Sequence, residues 1–194
     1  RCCGIAEPGL EAIMAIGGLS NGAAPIILAH EYMGMPTALC ARSRYPGQFR
    51  SIFYAHEVAT MRRIVEEAPG HDTMFYNVLE KAVAKGEYVD DVFGSQNDFY
   101  KHPLVSAARY CDNIFAVGDY VVKELRFLRK EFADVHIDLA YNGVPARRLT
   151  LDEKMRSRAK LQLYGRNLRG VKPDFLFTHV TGRVPSKGLL RDIC

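Results

Sequence analysis

No two of the five cysteines, Cys2, Cys3, Cys40, Cys111 and Cys194, stand at the CxxC spacing of a zinc or redox site. Free thiols in a reducing compartment are therefore expected, and with them a cytoplasmic location. Long apolar runs are missing as well: the longest, Ala23–Ala29, is about seven residues, against the roughly 20 that a membrane-spanning helix needs. Charge of one sign is scarce, with 26 Lys and Arg against 22 Asp and Glu, and the basic residues are spread along the chain. That balance excludes a phosphate-tracking nucleic-acid face, which concentrates cations. The densest basic stretch, Ala146–Arg169, spaces its charges as a solvated helix does.

Two further absences narrow the chemistry. No GxGxxG turn follows a strand, which argues against the alternative of a Rossmann-type dinucleotide-dependent enzyme. The loop Gly17-Gly18-Leu19-Ser20-Asn21-Gly22 runs into Ala23-Ala24, where a phosphate loop needs Lys and then Ser or Thr. Asp90, Asp91 and Asp98 fail the calcium-loop spacing, so no metal site is expected.

What is present is globular material: 194 residues, 48% apolar and 25% charged, enough for one domain and part of a second. The strand-like run Ser51–Tyr54 ends in Ala55-His56-Glu57, and the earlier run Pro25–Ala29 ends in the same tripeptide, Ala29-His30-Glu31. Open α/β sheets place their chemistry at carboxyl ends of strands. Two parallel neighbours ending alike would bring two His-Glu pairs to one rim.

The remaining chain alternates strands and helices. Helices are expected over Pro8–Ile16, from a turn marked by Gly34 and Pro36 through Ala41, and over Val58–Glu67, Thr73–Lys85, Pro103–Tyr110, Asp119–Arg129 and Leu151–Leu163. Tyr88–Phe99 reads as a polar loop with one short turn. Further strands are expected at Asn113–Val117, Val135–Ala140 and Phe175–Val180, with a tight turn at Asn142-Gly143. The alternation predicts an α/β fold built on a Rossmann-like parallel sheet flanked by helices. The basic connector Gly165–Pro173 is the candidate domain boundary, which divides the chain into residues 1–164, a connector 165–174 and the start of a second domain, 175–194. The chain opens on Arg1-Cys2-Cys3 without a Met and closes inside a helix-like stretch, Leu189–Cys194, so it reads as a piece of a longer protein.

In order, the blocks HEYMG, FYAHE, DNIFAVGDYVVKEL, YNGVP and FTHVTGRVPSKG resemble the retaining GT-B glycosyltransferases, in particular glycogen and starch synthases, with an echo of sucrose synthase around His56. The resemblance spans Ile26 to Gly188. It implies the partial amino-terminal, acceptor-side domain of a GT-B fold plus the start of the donor-binding domain, and therefore a fragment that is not expected to catalyse transfer alone. It also implies transfer of a sugar, glucose in the synthases, from a nucleotide-sugar such as ADP-glucose or UDP-glucose to an acceptor glycan with retention, without a cofactor or metal.

Residue by residue, His56 matches the histidine that contacts the transferred sugar or the acceptor near the anomeric centre. An imidazole there can donate a hydrogen bond to a sugar hydroxyl. His30, Glu31, Glu57 and Asn142 match the acceptor-side cleft and its closing turn. Arg183 and Lys187 match the basic pair on the donor diphosphate, where fixed cations stabilise the charge that grows as the sugar–phosphate bond breaks. The sequence departs from the family in three ways. Arg183 and Lys187 stand one residue closer than usual, Gly118 replaces a serine, and the Gly-rich donor loop of the first domain is absent. These departures leave a second possibility, a carbohydrate-binding remnant without turnover. The residues do not specify the oligomeric state.

Overall fold

The computed structural model describes residues 2–16 and 24–178. By its internal contacts the chain divides into two compact units, Arg1–Asn142 and Gly143–Cys194.

The first unit is built on four short strands, β1 (Ile26–His30), β2 (Arg50–Ala55), β3 (Asn113–Ala116) and β4 (Ile137–Leu139), all parallel and in chain order across the sheet. Ile52 of β2 lies opposite Leu28 of β1 on one side and Asn113 of β3 on the other. These are short, apolar, β-branched or aromatic segments, too short for helices and bounded by turn residues. Around them run α1 (Ala6–Ala15), α2 (Glu31–Arg44), α3 (Ala59–Glu67), α4 (His71–Lys85), α5 (Val89–Phe93), α6 (Lys101–Ser106) and α7 (Asp119–Leu128). Single 3₁₀ turns occupy Cys2–Ile5, Ala107–Tyr110 and Lys130–Phe132.

Sequential order has a consequence. Right-handed crossovers, the near-universal rule, put every connecting helix on the same side of a sheet whose strands follow one another in chain order. The burial alternates accordingly. Ile27, Ala29, Phe53, Ala55, Ile114 and Ala116 are buried in a core with Met35, Met61, Leu79, Leu125, Phe127 and Phe132. Ile26 and Leu28, which point the other way, are 64% and 44% exposed. Each fully buried Phe or Leu side chain contributes on the order of 2 kcal/mol.

At the amino-terminal rim the sheet is locked by Asp112, whose carboxylate accepts from the Ser51 backbone N–H at 2.7 Å and from the Ser51 hydroxyl at 3.0 Å. Partial burial pushes its pKa up. The Ser51 donors, with Arg50 and Arg42, outweigh that and hold it below the usual value.

Most sequence-derived elements are present, with instructive departures. Gly34 and Pro36 do not form a turn: α2 runs through both. Pro36 stands in the second turn of the helix, where its missing N–H removes one intrahelical bond and its ring crowds the carbonyl four residues back. The loop Tyr88–Phe99 carries its short turn as α5, with Gln96 buried by hydrogen bonds to Phe93 and Gly94 carbonyls.

The second unit is α8 (Leu151–Arg169) and the segment returning along it. Thr150 and Glu153 form a reciprocal cap at its start, where the Glu153 N–H donates to the Thr150 hydroxyl at 3.2 Å. Arg147 pairs with Glu153. The helix continues past Leu163 and through Gly165, where a Cβ would come within 3.0 Å of the Pro173 ring, so glycine eases the close approach of the return segment. Gln162 and Arg158 donate to the Pro173 and Asp174 carbonyls at 2.8 and 3.1 Å. The candidate connector Gly165–Pro173 lies inside this unit, and the division falls between Asn142 and Gly143; the tight turn expected there is absent, residues 140–150 being irregular and without a turn. Nor is Phe175–Phe177 a strand: it finds no pairing partner among the described residues, and Phe177 is 93% exposed. Val180, the end of that expected strand, lies outside the described residues.

Candidate functional site

The carboxyl rim of β1 and β2 gathers the ionisable groups that the repeated Ala-His-Glu promised. The register sets His30 opposite Tyr54, one residue before β2 ends. The Tyr54 ring then lies under both imidazoles, with centroids 5.3 Å from His30 and 4.4 Å from His56. Its hydroxyl donates to the Ala140 carbonyl at 2.7 Å, which ties the ring to the chain beyond β4. The His30 and His56 rings stack at 14° with centroids 5.2 Å apart, and His30 Nδ1 lies 3.0 Å from His56 Nε2. Such a contact requires a proton on one of the two nitrogens and a lone pair on the other. His30 is exposed and His56 half-buried, so the pair can present its remaining nitrogens to a ligand.

The glutamates that follow turn inward. Glu31 begins α2 directly after β1, and its φ of 50° is the one positive φ of a non-glycine residue among those described. Burial, then the nearby charge of Glu57, push its pKa up, while the Glu57 backbone N–H, Lys101 and His30 oppose the shift. Lys101 is itself framed by aromatic rings, its Nζ 4.6 Å from the centroid of Tyr32 and 5.7 and 5.8 Å from those of Phe99 and Tyr100.

Glu57 opens onto a buried network. Arg62 Nε lies 3.4 Å from Glu57 Oε2 without hydrogen-bond alignment, and Arg62 Nη2 donates to Glu124 Oε1 at 3.4 Å. The Tyr76 hydroxyl donates to the same Glu124 oxygen at 2.7 Å. Glu124 is 1% exposed, and its second oxygen has no hydrogen-bond partner among the described residues. Burial drives the Glu124 pKa up, against Arg62, Tyr76 and the Val58 N–H. Burial beside that carboxylate pushes the Tyr76 phenol up to about 12.

Of the sequence-derived candidates, the structure brings together His30, Glu31, His56 and Glu57. Asn142 is exposed, and no hydrogen bond links it to the imidazole pair. Arg183 and Lys187 lie outside the described residues. No group of three or more His, Cys, Asp and Glu suited to a metal occurs among the described residues. Sequence reasoning passed over Tyr54, Lys101, Arg62 and Glu124. Tyr54 had a signal, its place two residues before His56 on the same side of a strand. The others come from α6, α3 and α7, and no local pattern points from them to the rim.

At the opposite rim a cavity of about 330 Å³ is lined by Arg42, Arg50, Ser51 and Asp112. Its carboxylate is already engaged by Ser51, and strand amino ends are not where such sheets act.

Fold and rim together define a Rossmann-like α/β protein, a parallel sheet flanked by helices with its ionisable groups at the carboxyl ends of adjacent strands. No family model, curated protein or solved structure matches the chain. No helix among the described residues is long and apolar enough to cross a membrane.

Proposed function

We propose that this chain is the acceptor-side part of a cytoplasmic, retaining glycosyltransferase of the glycogen and starch synthase type, which moves glucose from a nucleotide-sugar to a glycan. The observation that supports the reading is the stacked His30–His56 pair over Tyr54, at the carboxyl ends of neighbouring parallel strands. Paired imidazoles on an aromatic platform suit sugar: the ring faces take C–H surfaces, and the free nitrogens meet hydroxyls as donor or acceptor. In this reading His56 hydrogen-bonds the transferred sugar, while His30, Glu31, Glu57 and Asn142 border the acceptor. Arg183 and Lys187 neutralise the donor diphosphate.

The test is incorporation of label from ADP-glucose or UDP-glucose into an α-glucan by the longer protein that contains this chain, with maltoheptaose binding followed separately through the imidazole NMR resonances. His56→Ala is expected to reduce transfer by about 10²-fold or more. Absence of transfer from any nucleotide-sugar, together with imidazole resonances that do not move with maltoheptaose, removes the assignment.

A further inference from the structure

The backbone at Glu31 is under strain that the rest of the fold has to hold. A side-chain-bearing residue in the left-handed region costs about 1–2 kcal/mol, and glutamate has none of the local hydrogen-bonding that lets Asn or Asp tolerate it. The strain has a geometric cause. β1 passes into α2 with no loop, and α2 lies so close on the strand that a Cβ at Gly34 would be 2.6 Å from Ala29 Cα. The chain makes that corner with a reversed φ, 50°, at the first helical residue. Most βα connections avoid this with two or more loop residues, often including glycine. Here the corner residue is a carboxylic acid, and the turn sets it at the sheet rim beside the imidazole pair. Strained residues that persist at a rim are a recognised mark of function.

The charged and titratable groups that face Glu31 are Glu57 from the β2–α3 segment, Lys101 from α6 and His30 from its own strand. Glu57 opposes its ionisation. Lys101 and His30 favour it, and Lys101 is held in place by three aromatic rings. Burial and Glu57 together outweigh the opposing groups, so the carboxyl holds a proton more readily than an ordinary glutamate.

We propose that Glu31, presented by this strained strand-to-helix corner, is the group that takes the proton from the acceptor hydroxyl, an inference that rests on the glycosyl-transfer reading. The balance of the step is complete. The hydroxyl proton passes to the Glu31 carboxylate, and the oxygen's electron pair forms the bond to the anomeric carbon. The bond from that carbon to the donor diphosphate breaks with its pair on the phosphate oxygen. Glu31, now a carboxylic acid, returns its proton to solvent. Glu57 and Lys101 are positioning and tuning groups for this carboxyl, and the His30–His56 pair holds the sugar.

Three measurements test it, the carboxyl titration and thermal unfolding on this chain and the transfer assay on the longer protein that contains it. A carbon-13 NMR titration of the glutamate carboxyls should show Glu31 titrating above the ordinary glutamates and shifting when maltoheptaose binds. A Glu31 that titrates at an ordinary value overturns the proposal. Glu31→Gly, which relieves the left-handed φ, should raise Tm by about 2 °C while removing the titration. A lowered Tm overturns the claim that strain is held there. Glu31→Gln should lower labelled-glucose transfer by about 10²–10⁴-fold and flatten the acid limb of the pH profile, a loss in kcat larger than any rise in KM for the acceptor. Retained transfer with an unchanged profile overturns the proposal. If the longer protein that contains this chain transfers nothing from any nucleotide-sugar, the transfer reading fails, and the titration then decides: a high, maltoheptaose-sensitive Glu31 supports a proton-holding sugar-site carboxyl, and an ordinary one overturns it.

Discussion

Two buried polar networks cross the helical layer, and they differ in completeness. In the first, the fully buried His102 of α6 contacts the Thr60 hydroxyl of α3 at 3.0 Å through Nδ1 and the Arg129 guanidinium, just past α7, at 3.3 Å through Nε2. Arg129 also donates to the Ser106 hydroxyl. Because Arg129 can only donate, His102 Nε2 accepts, and Nδ1 carries the proton to Thr60. In the second network, Glu57, Arg62, Glu124 and Tyr76 join the rim to α3, α7 and α4, yet Arg62 Nε and one Glu124 oxygen have no hydrogen-bond partner among the described residues. An unsatisfied buried group costs about 1–3 kcal/mol. The complete network is architecture. The incomplete one sits against the His56–Glu57 segment, and the fold tolerates its cost where the candidate site is.

The sharpest way to break this contrast is to empty the complete network. His102→Ala should strand both Thr60 and Arg129 and leave a cavity, lowering stability by about 3 kcal/mol. A urea titration should show the midpoint falling with an unchanged m-value. The incomplete network should respond differently. Glu124→Leu alone leaves Arg62 with Glu57 as its one carboxylate and should cost about 2 kcal/mol. The double change Glu124→Leu with Arg62→Met should recover that loss or exceed the starting stability, since a buried ion pair rarely repays its desolvation. A double variant less stable than Glu124→Leu, measured in the same urea series, would show that the network holds the fold after all. Tyr76→Phe removes one hydrogen bond to a charged partner, and about 1 kcal/mol is expected by thermal unfolding.

The smallest and most diagnostic contrast is in pH. Burial, then Arg129, hold the His102 pKa below its usual 6.5, against Asp90. As pH falls through that ordinary value, the unfolded chain takes up a proton that the folded chain refuses, so stability drops toward acid. Burial raises Glu124 above its usual 4.5. As pH rises from there through the folded value, the unfolded chain releases a proton that the folded chain keeps, so this contribution to stability drops toward neutral pH. His102→Gln should therefore flatten the acid side of the stability profile, and Glu124→Gln the side above the usual carboxylate range. Equal slopes in both variants would erase the distinction between the networks.

How far the residues alone foretold the rim can be followed through particular positions. Ala29-His30-Glu31 and Ala55-His56-Glu57 were legible because strand ends have a local signature and parallel pairing brings like ends together. Gly34 and Pro36 misled, since both are turn residues by local preference while α2 needed the first for close packing on Ala29 and could absorb the second early in its length. Phe175–Phe177 misled for the opposite reason. An apolar run becomes a strand only if a neighbour accepts its backbone bonds, and none among the described residues does. Arg62 and Glu124 were unreadable, because charges on amphipathic helices normally face solvent.

The amino-acid sequence by itself determined the parallel α/β class, the order of its elements and the histidine-glutamate ends of two strands, since periodicity and turn chemistry act over a few residues. Tertiary structure alone decided that the two imidazoles touch, that Glu31 turns the corner with a reversed φ, and that Glu124 is buried beside the site with one oxygen unpaired. Those outcomes depend on strand register and helix approach, which are set by packing between segments distant along the chain and leave no mark on the residues next to them.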